Sequence, residues 1–104
     1  MPIKNIDAAT LKGWLAKDEA ILVDVREPSE HATGVIPGAL LVPLATVSGH
    51  TVPTPKGKKL VMQCRSGARS ITAGEILLKE NPELEIYNLG GGILEWAATG
   101  GAVK

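Results

Sequence analysis

The chain has 104 residues, 44% of them hydrophobic, with no Phe, two Trp and one Tyr, so a core must be built mainly from Ile, Leu, Val and Ala. That length suits one domain, residues 1–104, and an aliphatic core suits a buried parallel sheet covered by helices. Eleven basic and eleven acidic side chains cancel, no Lys/Arg run is present and no apolar segment reaches bilayer length, which argues against nucleic-acid and membrane partners.

The opening Met1-Pro2-Ile3-Lys4-Asn5-Ile6-Asp7 lacks an apolar stretch of signal-peptide length, so a cytoplasmic setting is the default. A processed export form, periplasmic for instance, would look the same, because a removed leader leaves no trace. Asp7 followed by Leu11, Trp14 and Leu15 predicts an amphipathic helix with Asp7 as N-cap and an Ile6–Leu11 staple. Ala20 to Val25 is a continuous apolar run that suits a central strand. Glu27-Pro28-Ser29-Glu30 enters a short helix that stops near Gly34. Ile36-Pro37-Gly38-Ala39 is turn chemistry, and Leu40 to Leu44 predicts a short strand ended by proline.

Residues 45–58, punctuated by glycine and proline, form one long irregular stretch whose length makes it a candidate for mobility, partner contact or gating of a site. Lys59 to Gln63 is a second buried strand that runs straight into Cys64. Arg69 to Glu80 predicts a helix ended by Asn81-Pro82. Glu85 to Leu89 reads as a strand, Gly90-Gly91-Gly92 as a tight turn, and Ile93 to Thr99 as a short helix closed by Gly100-Gly101. Strands separated by helices imply an open α/β sheet with helices on both faces and reactive loops at the carboxyl ends of the strands. Both Asp24-Val25-Arg26 and Cys64 fall at that edge.

With one cysteine an internal disulfide is impossible, and a lone cysteine after a strand is otherwise most often buried and inert. The segment Cys64-Arg65-Ser66-Gly67-Ala68-Arg69-Ser70 favours a reactive reading. The chain must turn sharply between strand and helix, and Gly67 can take a positive φ without steric cost. Such a loop, ending on a helix N-terminus, aims several N–H groups at one point and favours an anion. A cysteine at its mouth has its thiolate stabilised, and Arg65 and Arg69 add positive charge in the same direction. Cys64 is therefore the candidate nucleophile, and Arg65, Ser66, Gly67, Ala68 and Arg69 the candidate anion-binding loop. Ser66 and Ser70 suit either helix capping or hydrogen bonds to sulfur.

Val23-Asp24-Val25-Arg26-Glu27-Pro28-Ser29-Glu30, then Gly34-Val35-Ile36-Pro37-Gly38-Ala39, then Cys64 to Ser70, and finally Gly90-Gly91-Gly92…Trp96…Gly100-Gly101 occur in this order. Together they resemble the single-domain rhodaneses, the thiosulfate sulfurtransferases, over residues 20–101. The resemblance implies a rhodanese-like domain with a five-stranded, mainly parallel sheet flanked by helices. It also implies that Cys64 takes the sulfane sulfur of a donor such as thiosulfate, holds it as a persulfide and passes it to a thiophilic acceptor. That acceptor would be cyanide in an assay and a thiol in a cell, with no metal or organic cofactor. One departure is Val35, where the family often has His; the block's task is structural.

Loop length separates relatives of similar fold. In phosphatases of the cell-division-cycle 25 type five residues lie between cysteine and arginine, enough for a tetrahedral phosphate. Here Arg69 comes one residue earlier and Ser70 takes the sixth place after Cys64, which suits a single bound sulfur atom. Asp24, Arg26 and Glu30 are expected to form a polar cluster that supports the loop after the second strand, since a catalytic carboxylate would oppose a thiolate. His31 and His50 are expected at the surface, and Trp14 and Trp96 in helix packing. The three-glycine turn lacks the spacing of a nucleotide loop. Two further functions compete: a persulfide carrier with protein donors or acceptors, and an interaction domain without catalysis, which the presence of Cys64 disfavours.

Overall fold

The computed structural model describes residues 3–104. Five strands, β1 (Ile3–Ile6), β2 (Ala20–Asp24), β3 (Leu40–Leu41), β4 (Lys59–Gln63) and β5 (Ile86–Leu89), form one sheet in the order β1-β5-β4-β2-β3 with every pairing parallel. Among the described residues four helices accompany them: α1 (Ala8–Ala16), α2 (Pro28–Thr33) and α3 (Ala68–Glu80) between strands, and α4 (Gly92–Ala98) after β5. Parallel neighbours need crossovers, and the helices that supply them cover both faces.

Side chains alternate across β4, and this alternation divides the core. Leu60, Met62 and Cys64 join Val23, Ala73, Leu77 and Ile86 on the α3 face. Val61 turns the other way, to Leu11, Leu22, Ile36, Leu89, Ile93 and Trp96 beneath α1 and α4. Asp7 caps α1 by accepting the Thr10 N–H at 2.8 Å, and Ile6 and Leu11 share the second cluster, as the staple requires. Trp96 is buried and donates from Nε1 to the Ala102 carbonyl at 2.8 Å. Trp14 meets Tyr87 edge-on with ring centroids 4.9 Å apart.

Two elements differ from their sequence signals. Ile3–Ile6 is an edge strand, whereas a run of four residues with two polar members offers too little periodicity to announce one. The predicted strand over Leu40–Leu44 shrinks to Leu40–Leu41, because Pro43 has no N–H to give the ladder. The chain nevertheless keeps following β2: Val42 and Leu44 donate to the carbonyls of Asp24 and Val25 at 2.9 and 3.0 Å before a 3-10 turn at Leu44–Thr46.

The long irregular segment is anchored at Gly49 to the far end of α3. Val47 and Val52 are buried on the α3 face, and the Gly49 N–H reaches the Glu80 carboxylate in the last turn of α3. Cys64 lies before the first turn of that helix, about 20 Å away along its axis.

Candidate active site

Cys64 follows β4 directly, and the loop it opens closes on Gly67, whose φ of 104° is a left-handed value suited to glycine. The Gly67 N–H donates to Cys64 Sγ at 3.1 Å, and Ser70 Oγ lies 3.4 Å from the same sulfur. Burial pushes the Cys64 thiol up, but the Ser70 hydroxyl and the N–H groups of Ser70, Gly67 and Ser66 outweigh it and hold the thiol below its ordinary value. The sulfur sits in a shell of donors although Cys64 is only 1% exposed.

The turn is held from outside by its carbonyls. Cys64 O accepts from Ile93 N at 3.0 Å and from Gln63 Nε2 at 2.9 Å, Arg65 O from Leu94 N at 3.2 Å, and Gly67 O from Asn88 Nδ2 at 3.2 Å. In a trans peptide the next N–H points opposite to its carbonyl. The N–H groups of Arg65, Ser66 and Ala68 are therefore turned away from these partners, and that of Ser66 is among the amides that steady the Cys64 thiolate. The glycine turn after β5 is the buttress. A Cβ on Gly67 would run into Gly90, and one on Gly92 would lie 2.6 Å from Ser66 N, so both positions need glycine for the two turns to nest.

Two ion pairs frame the loop. Arg26 grips the fully buried Asp24 with Nε at 2.9 Å from Oδ1 and Nη2 at 2.8 Å from Oδ2, and Nη2 also reaches Gly34 O at 2.7 Å. Burial pushes the Asp24 carboxyl up, but hydrogen bonds from Arg26 and His31 bring it below its ordinary value. His31 is thus not a free surface residue as expected. Its Nδ1 lies 2.9 Å from Asp24 Oδ2, and since an ionised carboxylate only accepts, Nδ1 carries the proton. His50 is exposed.

Glu30 does not share the Asp24 hydrogen bonds. It reaches across to α3 and holds Arg69 through both carboxylate oxygens, at 2.6 and 2.9 Å. This fork ties α2 to the first turn of α3, so Arg69 acts near Cys64 with its charge largely answered. Arg65 is exposed, and among the described residues no acidic side chain pairs with it. Arg65 is therefore the cation of this loop whose charge no described side chain answers.

The Glu30–Arg69 pair has a pH signature. Hydrogen bonds from Arg69, with help from the Glu27 N–H, lower the Glu30 carboxyl from 4.5 to about 2. A depressed folded value stabilises the fold above the unfolded value and ceases to do so as pH falls through the folded one. The intact protein is expected to lose stability between pH 4.5 and about 2, and Glu30→Gln to lose less over that range while starting lower at neutral pH. Thermal unfolding of both chains across the range checks this; parallel curves would show that the pair contributes nothing.

Asn88 was not among the residues the sequence singled out, and Gly90-Gly91-Gly92 was read as a tight turn without its contact to the cysteine loop. Asn88 is 1% exposed in the middle of β5, accepts from Ser70 Oγ, and donates to Asn5 Oδ1 at 2.9 Å as well as to Gly67 O. A poor strand former inside a buried strand was the signal available. Gln63 Oε1 is the buried side-chain polar atom without a hydrogen-bond partner among the described residues. No group of three His, Cys, Asp or Glu side chains among those residues is gathered to hold a metal ion, and no helix there is long and apolar enough to cross a membrane. Hollows of about 300 Å³ beside Lys12 and Trp96, and about 130 Å³ between Val52 and Leu84, are lined by residues outside the cysteine loop.

Residues 7–99 match the rhodanese-like domain family. The chain belongs to the rhodanese family. A sulfurtransferase of Allochromatium vinosum is 39% identical over 99 residues, 94% of this chain and 92% of that one. The thiosulfate sulfurtransferase GlpE of Pseudoalteromonas translucida is 26% identical over 94% of this chain and 92% of its own. Among solved structures, a rhodanese-related protein of Thermoplasma volcanium superposes with a TM-score of 0.82 at 28% identity, covering 97% of both chains. The all-parallel five-stranded sheet and its flanking helices are those of the rhodanese fold, and the family includes sulfurtransferases.

Proposed function

We propose that this rhodanese is a thiosulfate-type sulfurtransferase working through a Cys64 persulfide. The observation that carries the reading is the polar shell around Sγ: the Gly67 N–H at 3.1 Å, Ser70 Oγ at 3.4 Å and the amides of Ser66 and Ser70, in a loop with four residues between Cys64 and Arg69. The Cys64 thiolate attacks the outer sulfur of thiosulfate. A new S–S bond forms, the old one breaks, and its electron pair leaves with sulfite. The persulfide's charge then sits on the outer sulfur, which the turn's N–H groups stabilise. A nucleophilic acceptor, a thiolate or cyanide, attacks that outer sulfur and returns Cys64 as thiolate. Arg65, exposed at the mouth, attracts the anionic donor. A single unpaired thiol with this chemistry suits a reducing compartment such as the cytoplasm.

A second reading has one observation in its favour. Leu94, 47% exposed, is the α4 residue whose own N–H binds Arg65 O, so an exposed apolar residue is tied to the backbone of the exposed arginine. A protein bringing or taking the sulfur would find both apolar and charged contacts there.

The test is sulfur loading followed by discharge. Thiosulfate is expected to add about 32 Da, one sulfur atom, to the intact mass. Cyanide is expected to remove it with formation of one equivalent of thiocyanate, and to turn over when both are present. Loading without turnover moves the conclusion to the protein relay, and no loading overturns the persulfide reading.

A further inference from the structure

Ser70 has one hydroxyl proton and two neighbours that want it. On one side lies Cys64 Sγ at 3.4 Å, and on the other Asn88 Oδ1. The Asn88 amide cannot be turned round to relieve the competition. Gly67 O is a carbonyl and only accepts, so the Asn88 nitrogen must face it, at 3.2 Å, and the amide oxygen must face Ser70. All of this is enclosed: Ser70 is 0% and Asn88 and Cys64 are 1% exposed.

We propose that Asn88 is a positioning residue that draws the Ser70 proton away from sulfur, and thereby favours the thiol and the persulfide of Cys64 over its free thiolate. In the thiol, S–H donates to Ser70 Oγ and Ser70 donates to Asn88, so each member of the chain has a partner. In the persulfide, Sγ is bonded to two atoms and uncharged, while the charge lies on the outer sulfur among the backbone amides. Ser70 again donates to Asn88. Only the free thiolate puts charge on Sγ itself. Ser70 must then either turn to the sulfur, leaving Asn88 Oδ1 without a donor, or stay and leave the thiolate one donor short. A buried acceptor deprived of its donor is costly. The rhodanese reading supplies the persulfide part of this inference, whereas the thiol–thiolate part stands without it.

The charged groups around Cys64 are Arg65 in its own loop, Arg69 on α3 with Glu30 on α2, the Asp24–Arg26–His31 cluster after β2, and Glu95 of α4 over Gly91. None is changed in the variants that test the inference.

The decisive experiment is the pH dependence of Cys64 alkylation by iodoacetamide in the full chain. Asn88→Ala is expected to move the midpoint to lower pH by about one pH unit, the weight of one hydrogen bond to a charged group. Ser70→Ala is expected to move it upward, and in the Ser70→Ala background the Asn88 change is expected to have no effect. A residue that merely steadied the loop would move the midpoint upward when removed, with or without Ser70, and that result overturns the proposal. Asn88→Val, which offers Ser70 no acceptor and suits a buried strand, carries the same expectation should the alanine chain be unstable. At a fixed thiosulfate-to-sulfite ratio and a pH above both alkylation midpoints, where the free form is thiolate, the ratio of sulfur-loaded to free chain is expected to fall about tenfold in Asn88→Ala. Failure of any chain to load would count against the persulfide reading and leave the alkylation result standing.

Discussion

Cys64→Ser is expected to reduce thiocyanate formation from thiosulfate and cyanide by on the order of 10⁴-fold or more, to the assay background. The change replaces one atom. An oxygen in the place of Sγ still accepts from the Gly67 N–H and still lies beside Ser70, so the fold should hold, with unfolding free energy altered by about 1 kcal/mol or less. What disappears is the ionisation. The amides and the Ser70 hydroxyl hold a thiol below its ordinary value, but no such shell makes a serine hydroxyl an anion near neutral pH. The expected pairing is therefore lost turnover and no gain of sulfur mass, with an unchanged circular dichroism spectrum. Residual turnover within tenfold of the intact protein would mean that another group carries the sulfur.

Asp24→Ala is expected to be the most destabilising single change at this edge of the sheet, by about 3–5 kcal/mol. Asp24 is fully buried and receives the Arg26 N–H and its guanidinium together with His31. Removing the carboxylate strands an arginine that is itself 5% exposed and keeps, among the described residues, Gly34 O as its partner. A loss of that size is a large share of the roughly 5–15 kcal/mol by which a domain of this size is stable. Urea unfolding should show the midpoint falling sharply with little change of slope. Asp24→Asn, which keeps the shape and one of the two acceptor oxygens, should cost less. A midpoint for Asp24→Ala close to that of the intact chain would show that the pair stabilises the fold no more than an apolar replacement does. The consequence reaches the site, because α2 carries both His31 on Asp24 and Glu30 on Arg69.

Local chemistry was readable wherever the determining residues lie close together in the chain. Asp7 three residues before Thr10 caps α1, Pro28 opens α2 and Gly34 ends it, and Cys64 to Gly67 turns where a strand meets a helix. Cys64 and Asp24 were placed at one sheet edge by alternation of strands and helices, and the register pairing Asp24 with Gln63 puts them there. β1 escaped because an edge strand is made by its partner β5 rather than by its own four residues. His31 was read as a surface residue because nothing between it and Asp24 signals that α2 folds back over the end of β2.

By itself the sequence determined a family, an α/β sheet and a cysteine in an amide-lined turn, since each rests on covalent neighbours and on periodicities of two or 3.6 residues. The tertiary structure alone decided how that turn is held and what surrounds its sulfur. The order β1-β5-β4-β2-β3 lays β5 beside β4, and so brings Asn88 to Ser70 across 18 residues and nests Gly90 against Gly67. Helix α2, packed over the same edge, brings Glu30 to Arg69 across 39 residues and leaves Arg65 as the cation of the cysteine loop without an ion pair among the described residues. These contacts depend on which strands are neighbours, and a parallel sheet makes neighbours of residues that no local pattern connects.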